Sequence, residues 1–111
     1  MTTSIPVHQA KAELFRTLGH PMRIRILEML QVKPTAVRDM LTELEAESSS
    51  LSQQLAVLRR AGLVTASREG ATVVYALGTP HIGELLKAGR QILAEILSES
   101  EGLLAELREQ Q

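Results

Sequence analysis

Between Ser48 and Leu77 the chain passes without a linker from helix period to strand period, and this passage constrains the fold more than any other stretch. Leu51, Leu55, Leu58 and Ala61 recur at steps of three and four residues, which lines them on one helical face. Ser49, Ser50, Ser52 and Gln53 turn elsewhere, so one face can pack while the other stays free. Gly62 stands where a helix closes on a left-handed residue. Two strand-like runs follow, Leu63 to Arg68 and Thr72 to Leu77, joined by Glu69-Gly70-Ala71. The order is a helix with a free polar face, a tight stop and a β-hairpin.

Upstream, Val7, Ala10, Leu14, Phe15 and Leu18 mark an amphipathic helix that stops before Gly19. Pro21 suits the first turn of a second helix, where its missing N–H costs nothing. Met22, Ile24, Ile26, Leu27, Met29 and Leu30 make that helix apolar on most sides, which predicts burial. Pro34-Thr35 offers a third start, with Thr35 as N-cap ahead of Val37, Met40, Leu41 and Leu44. Glu43, Glu45 and Glu47 flank a polar connection into Ser48-Ser49-Ser50, whose serines are expected to cap the fourth helix. The third and fourth helices form a helix-turn-helix candidate.

Beyond the hairpin, Thr79-Pro80 opens a final segment striped with Ile82, Leu85, Leu86, Ile92, Leu93, Ile96 and Leu97, resumed at Leu103, Leu104 and Leu107. As one helix from Pro80 to Leu107 it would be roughly 40 Å long, more than a compact domain of this size uses. The surplus stripe is expected to meet the same helix, together with the first helix, of a second copy. Leu14, Leu18, Leu85, Ile92, Ile96 and Leu103 are the candidate dimer contacts. The expected fold is mainly α with a small β-hairpin, a winged helix-turn-helix of five helices and a two-stranded wing that dimerises through its first and last helices. A single domain is expected over 1–111, with the core at 7–78 and a C-terminal dimerisation helix at 79–109.

Composition narrows the function classes. The absence of cysteine excludes disulfides, thiolate metal sites and cysteine nucleophiles. No Gly-rich phosphate loop or Ser-His-Asp spacing is present and the three histidines are scattered, so an enzyme is not expected. No apolar run approaches the roughly 20 residues that span a bilayer, and the first residues lack a charged segment followed by an apolar one. The expected address is the cytoplasm, with no membrane partner. A net charge of -1 conceals a division: residues 1–78 hold nine Lys/Arg against seven Asp/Glu, whereas residues 79–111 hold three against six. The mildly basic part is the one that carries the helix and hairpin.

That division suits a protein that reads double-stranded DNA. Ser49, Ser50, Ser52, Gln53 and Gln54 supply hydroxyl and amide groups, and a Gln side chain can contact adenine N6 and N7 as a pair. Arg59, Arg60 and Arg68 are placed to meet phosphate, or Arg68 the minor groove; pairing with an acid within the fold is the competing role for each. Two copies related by a two-fold axis would read half-sites about one helical turn apart.

The blocks LGHPMRIRILEML and SLSQQLAVLRRAGLVTASREGATVVYAL resemble the ArsR/SmtB family of bacterial winged helix-turn-helix repressors. In that family the second helix opens on L-x-x-P-x-R-x-x-I-L, and the fourth helix and wing read S-x-H-L-x-x-L-R-x-A-G-L-V-x-x-x-R-x-G-x-x-x-x-Y. Leu18, Pro21, Arg23, Ile26 and Leu27 fall in register with the first pattern, and Ser52, Leu55, Leu58, Arg59, Ala61, Gly62, Leu63, Val64, Arg68, Gly70 and Tyr75 with the second. The resemblance runs from about Ala10 to Leu97. It implies a homodimer that docks two recognition helices into successive major grooves of a palindromic operator, repressing transcription until a signal weakens binding. Gln54 departs from the pattern by standing where members often carry His, and Ala71 follows the wing glycine where many have a basic residue. With Glu69 ahead of it, the wing tip is less cationic than usual, so modest non-specific affinity is expected.

The family's best-known signals are metal ions. One of its sites needs Cys-x-Cys on the third helix, which this chain lacks. The other follows D-x-H-x10-H-x2-[E/H]; aligned on His81, it places Thr79, Ile92 and Glu95 at the remaining positions, so two of four ligands are missing. No cofactor or metal is therefore expected, and a small organic effector at the dimer seam is the expected kind of signal, if one exists. Two alternatives remain open: a PadR- or MarR-like regulator that responds to a small organic ligand, and a winged-helix module that binds protein, for which the low charge and Glu43, Glu45 and Glu47 speak.

Overall fold

The computed structural model describes residues 4–98 and 101–110. The order of elements is α1 (Val7–Leu18), α2 (Pro21–Val32), β1 (Thr35–Ala36), α3 (Val37–Leu44), α4 (Ser48–Arg60), β2 (Val64–Glu69), β3 (Thr72–Leu77), α5 (His81–Ile96) and α6 (Glu101–Glu109). It is the expected mainly helical winged helix-turn-helix, divided into two compact units, Met1–Thr79 and Pro80–Gln111.

In the first unit each helix starts and stops for a local reason. The His20 ring accepts a hydrogen bond through Nδ1 from the Met22 amide at 3.1 Å, capping α2 where Pro21 opens it. Ile26, Leu27 and Leu30 of α2, Met40 and Leu44 of α3, and Leu51, Leu55 and Leu58 of α4 form the core, joined by Leu63 and Val64 at the root of the hairpin. Three residues, Glu45 to Glu47, separate α3 from α4, with Glu45 in the left-handed region at φ 50° and its amide bonded back to Leu41. That is the tight turn a helix-turn-helix requires.

Gly62 has φ 78°, closing α4 as expected. The hairpin pairs Val64 with Leu77 through Glu69 with Thr72, which leaves Gly70-Ala71 as the turn. Gly70, at φ 65°, supplies the positive φ that a II′ hairpin needs at its first central residue. At the hairpin root the Gly78 amide donates to the Leu63 carbonyl at 2.8 Å.

Four expectations are corrected. Thr35 is not a helix cap: with Ala36 it forms a strand that pairs antiparallel with Tyr75 and Val74, so the wing belongs to a three-stranded sheet of order β1-β3-β2. The β-branched, buried Thr35 satisfies the free edge of β3, and its hydroxyl donates to the Lys33 carbonyl. The serines at 48–50 do not cap α4, because the helix already includes Ser48 and the cap position falls on Glu47, without a side-chain bond. Leu18 is only 7% exposed, a core residue and not part of the open face of α1.

The fourth correction concerns the second unit. The final helix is not continuous: α5 ends at Ile96, and α6 returns along it, so that six helices are seen among the described residues where five were expected. Arg90 Nη1 donates to the Gln110 carbonyl at 3.2 Å, and Leu93, Leu97 and Leu107 share a small cleft of about 200 Å³. Two features favour the break. The segment 98–102 reads Ser-Glu-Ser-Glu-Gly, rich in weak helix formers, and folding back shelters Leu107 within the same chain. Leu103, named among the dimer contacts, belongs to α6, but its side chain lies outside the described residues. Among the described residues no helix is long and apolar enough to cross a membrane.

Candidate nucleic-acid interface

The outer surface of α4 follows from which side is packed. At about 100° per residue, Gln53 lies nearly opposite the face of Leu51, Leu55 and Leu58, with Ser49 and Arg60 beside it. Ser49, Ser50, Ser52 and Gln53 are all exposed, and their hydroxyl and amide groups form a continuous polar surface along the first two turns. Gln54 is different. It is half-buried on the flank of α4, and its Oε1 accepts from Arg23 Nη1 at 2.8 Å.

Toward the sheet, α4 and β3 border a cleft of about 520 Å³ to which Ser52, Ala56, Arg59, Arg60, Val73 and Tyr75 contribute. The two arginines reach it because they lie on the last turn of α4, and Arg68 stands across the hairpin from Val73. All three are exposed, and none of their guanidinium groups has a carboxylate or other hydrogen-bonding partner among the described residues. Their competing role as internal braces therefore has no acid to serve it here. Arg38, exposed on the first turn of α3, is a further cation near the helix-turn-helix that the sequence reading did not single out. Its signal was available: a basic residue one step into the helix that precedes α4. Glu43, Glu45 and Glu47 are exposed at the turn between the two helices.

The candidate dimer contacts separate into two groups. Leu14 is 39% exposed, Phe15 beside it 57%, Ile92 56% and Ile96 69%, each a large apolar side chain open to solvent in the single chain. Leu85 is half-buried. Phe15 and Leu93, also exposed, were not among the named contacts, although each lies next to one that was. His8, His20 and His81 are not gathered: among the described residues no three His, Asp or Glu side chains are placed to hold a metal ion.

Comparison with known proteins gives the same architecture a lineage. Residues 20–66 match the profile of a family described as bacterial regulatory protein, arsR family. The chain is similar to the HTH-type transcriptional regulator Rv0081 of Mycobacterium tuberculosis, with 48% identity over 106 residues, covering 95% of this chain and 93% of the relative. The crystal structure of Rv0081 superposes with a TM-score of 0.80 over 87% of this chain and 98% of that one, at 49% identity. A transcriptional repressor SmtB homolog of Synechocystis is 32% identical over 98 residues, 88% of this chain and 71% of its own length. The solution structure of Mb0332 from Mycobacterium bovis, described as a homodimeric winged helix-turn-helix DNA-binding domain, shares the fold with a TM-score of 0.74 at 24% identity, over 89% of this chain and 95% of that one.

Proposed function

The chain belongs to the ArsR/SmtB family of DNA-binding transcriptional regulators, and from that premise we propose that it is a homodimeric repressor of a palindromic operator, read by Ser49, Ser50, Ser52 and Gln53 of α4. The observation that carries this reading is the exposed Ser/Gln surface of α4, flanked by Arg59, Arg60 and Arg68 with no acid partners among the described residues. Unpaired guanidinium groups around a neutral hydrogen-bonding surface separate two tasks: phosphate contacts set register, and base-edge contacts choose sequence.

Pairing with a second copy is supported by the exposed Leu14 and Phe15 of α1 and the exposed Ile92, Leu93 and Ile96 of α5. Apolar faces of this kind on helices gain most from burial against an identical face. For the signal, the proposal is either a small organic molecule bound between copies or no ligand at all, with occupancy set by protein abundance; a metal is disfavoured because Thr79 and Ile92 occupy two of the four ligand positions of the family's final-helix site and no cysteine exists to build the other. Calorimetric titration with zinc that released binding heat would remove that part of the proposal.

The decisive assay is a mobility shift at moderate salt with the DNA fragment upstream of the protein's own coding sequence. Wild-type protein is expected to shift that fragment in preference to a scrambled one, and Gln53→Ala to lose most of the preference. A preference untouched by Gln53→Ala would show that the reading surface has been misassigned. No shift by the wild type would favour a protein-binding role centred on the exposed Glu43, Glu45 and Glu47.

A further inference from the structure

The side chain of Arg23 joins three helices. It projects from the first turn of α2; its Nε donates to the Thr17 carbonyl at 2.6 Å, Nη2 to the Arg16 carbonyl at 3.5 Å and Nη1 to Gln54 Oε1 at 2.8 Å. The two carbonyls belong to the last turn of α1, where backbone acceptors lack partners within the helix and the dipole favours a cation. A guanidinium group is planar and donates only, so it forces the amide oxygen of Gln54 toward itself. With one lone pair of that oxygen bound to Arg23, the amide plane is held by the strut, so Gln54 cannot turn freely to present its oxygen and NH2 group together to adenine N6 and N7. It also lies only about 70° round α4 from the buried face, whereas Gln53 points away from the core.

We propose that Arg23 and Gln54 form a positioning strut that fixes α4 against the end of α1, so that Gln54 orients the reading surface without reading bases itself. The inference rests on α4 being the DNA-reading helix. Phosphate-driven binding depends on charge and tolerates small rotations of α4; base discrimination does not, because hydrogen bonds to base edges lose strength steeply with misalignment. The strut therefore governs specificity more than total affinity.

Full-length Gln54→Leu, Gln54→Glu, Arg23→Met and the double variant Arg23→Met/Gln54→Leu would be compared by fluorescence anisotropy on the upstream fragment and on a scrambled fragment of equal length. Gln54→Leu and Arg23→Met are each expected to lower the ratio of specific to non-specific affinity by roughly tenfold. Non-specific affinity and its salt dependence should stay unchanged. The double variant should do no worse than either single one, since both remove the same contact. Gln54→Glu keeps an acceptor for Arg23 and should retain the ratio within about threefold. If Gln54→Glu abolishes specific binding while Arg23→Met leaves it intact, Gln54 is a base reader and the strut is refuted. Additive losses in the double variant would refute it as well. Should Arg23→Met fail to fold by circular dichroism, the contrast between Gln54→Leu and Gln54→Glu decides alone. Wild-type protein with no preference for the upstream fragment would instead overturn the assignment of α4 as the reading helix, and the strut's role with it.

Discussion

Gly78 is where the wing returns to the body of the fold, and replacing it by alanine tests whether that return depends on close backbone approach. A Cβ at position 78 would lie 2.5 Å from the Gly62 carbonyl oxygen, 3.1 Å from the Leu63 carbonyl carbon and 3.2 Å from its oxygen. All three are backbone atoms, so no flexible side chain can yield, and reaching the ordinary contact distance of 3.4 Å requires a retreat of about 0.9 Å. Overpacking of this sort costs about 1–3 kcal/mol. The same movement stretches the bond from the Gly78 amide to the Leu63 carbonyl, now 2.8 Å, for about 1 kcal/mol more. Stiffening of the unfolded chain by alanine returns about 0.4–1 kcal/mol. The net expectation is a loss of about 1–3.5 kcal/mol, or a fall of roughly 5–25 °C in Tm for a domain of this size.

The assay is urea unfolding followed by circular dichroism at one fixed protein concentration, because self-association would couple stability to concentration. Gly62 supplies a contrast of different origin. A Cβ there meets nothing within 4 Å, but φ is +78°, so Gly62→Ala should cost about 1–2 kcal/mol through backbone strain alone. Asparagine tolerates that conformation and should recover part of the loss at 62, but none at 78, where the obstacle is space. Gly78→Ala with a wild-type midpoint and slope would refute the steric argument.

Three further outcomes follow from the same geometry. His20→Ala removes the acceptor that caps α2 at the Met22 amide and should cost about 0.5–2 kcal/mol in the same unfolding assay. Ile92→Glu with Ile96→Glu, both at exposed positions, should leave the circular dichroism spectrum unchanged while converting a dimer to a monomer in sedimentation; a wild-type sedimentation coefficient would place the interface elsewhere. Arg59→Ala and Arg60→Ala should each reduce the salt slope of DNA binding by about one with sequence preference preserved, and a change of preference would make that arginine a base contact instead.

The elements with strong local signals were legible without any structure. Helix α1 runs from Val7 to Leu18, as its apolar spacing and Gly19 predict, and Gly62 closes α4 in the left-handed region because glycine adopts a positive φ without backbone strain. The start of α2 at Pro21 was equally readable, since it depends on that residue's own ring and its nearest neighbours. Strand β1 was not readable: two residues carry no period, and Thr35 suits a helix cap as well as a strand edge until Tyr75 comes alongside. The break between α5 and α6 was missed because the leucine stripe resumes in helical phase after a polar interruption, and phase says nothing about whether the helix continues or doubles back.

By itself, the sequence determined the helix-turn-helix and hairpin, the polar surface of α4 and the loss of cysteine ligands, all consequences of residue type and spacing along a few turns of chain. Tertiary structure alone decided which of two adjacent glutamines is free. Gln53 and Gln54 are chemically identical, but about 100° of helical rotation sends one outward and brings the other to Arg23, 31 residues earlier in the chain. The same holds for Arg59, Arg60 and Arg68: whether an arginine braces a fold or remains open to phosphate depends on whether folding brings an acid to it, and among the described residues none arrives.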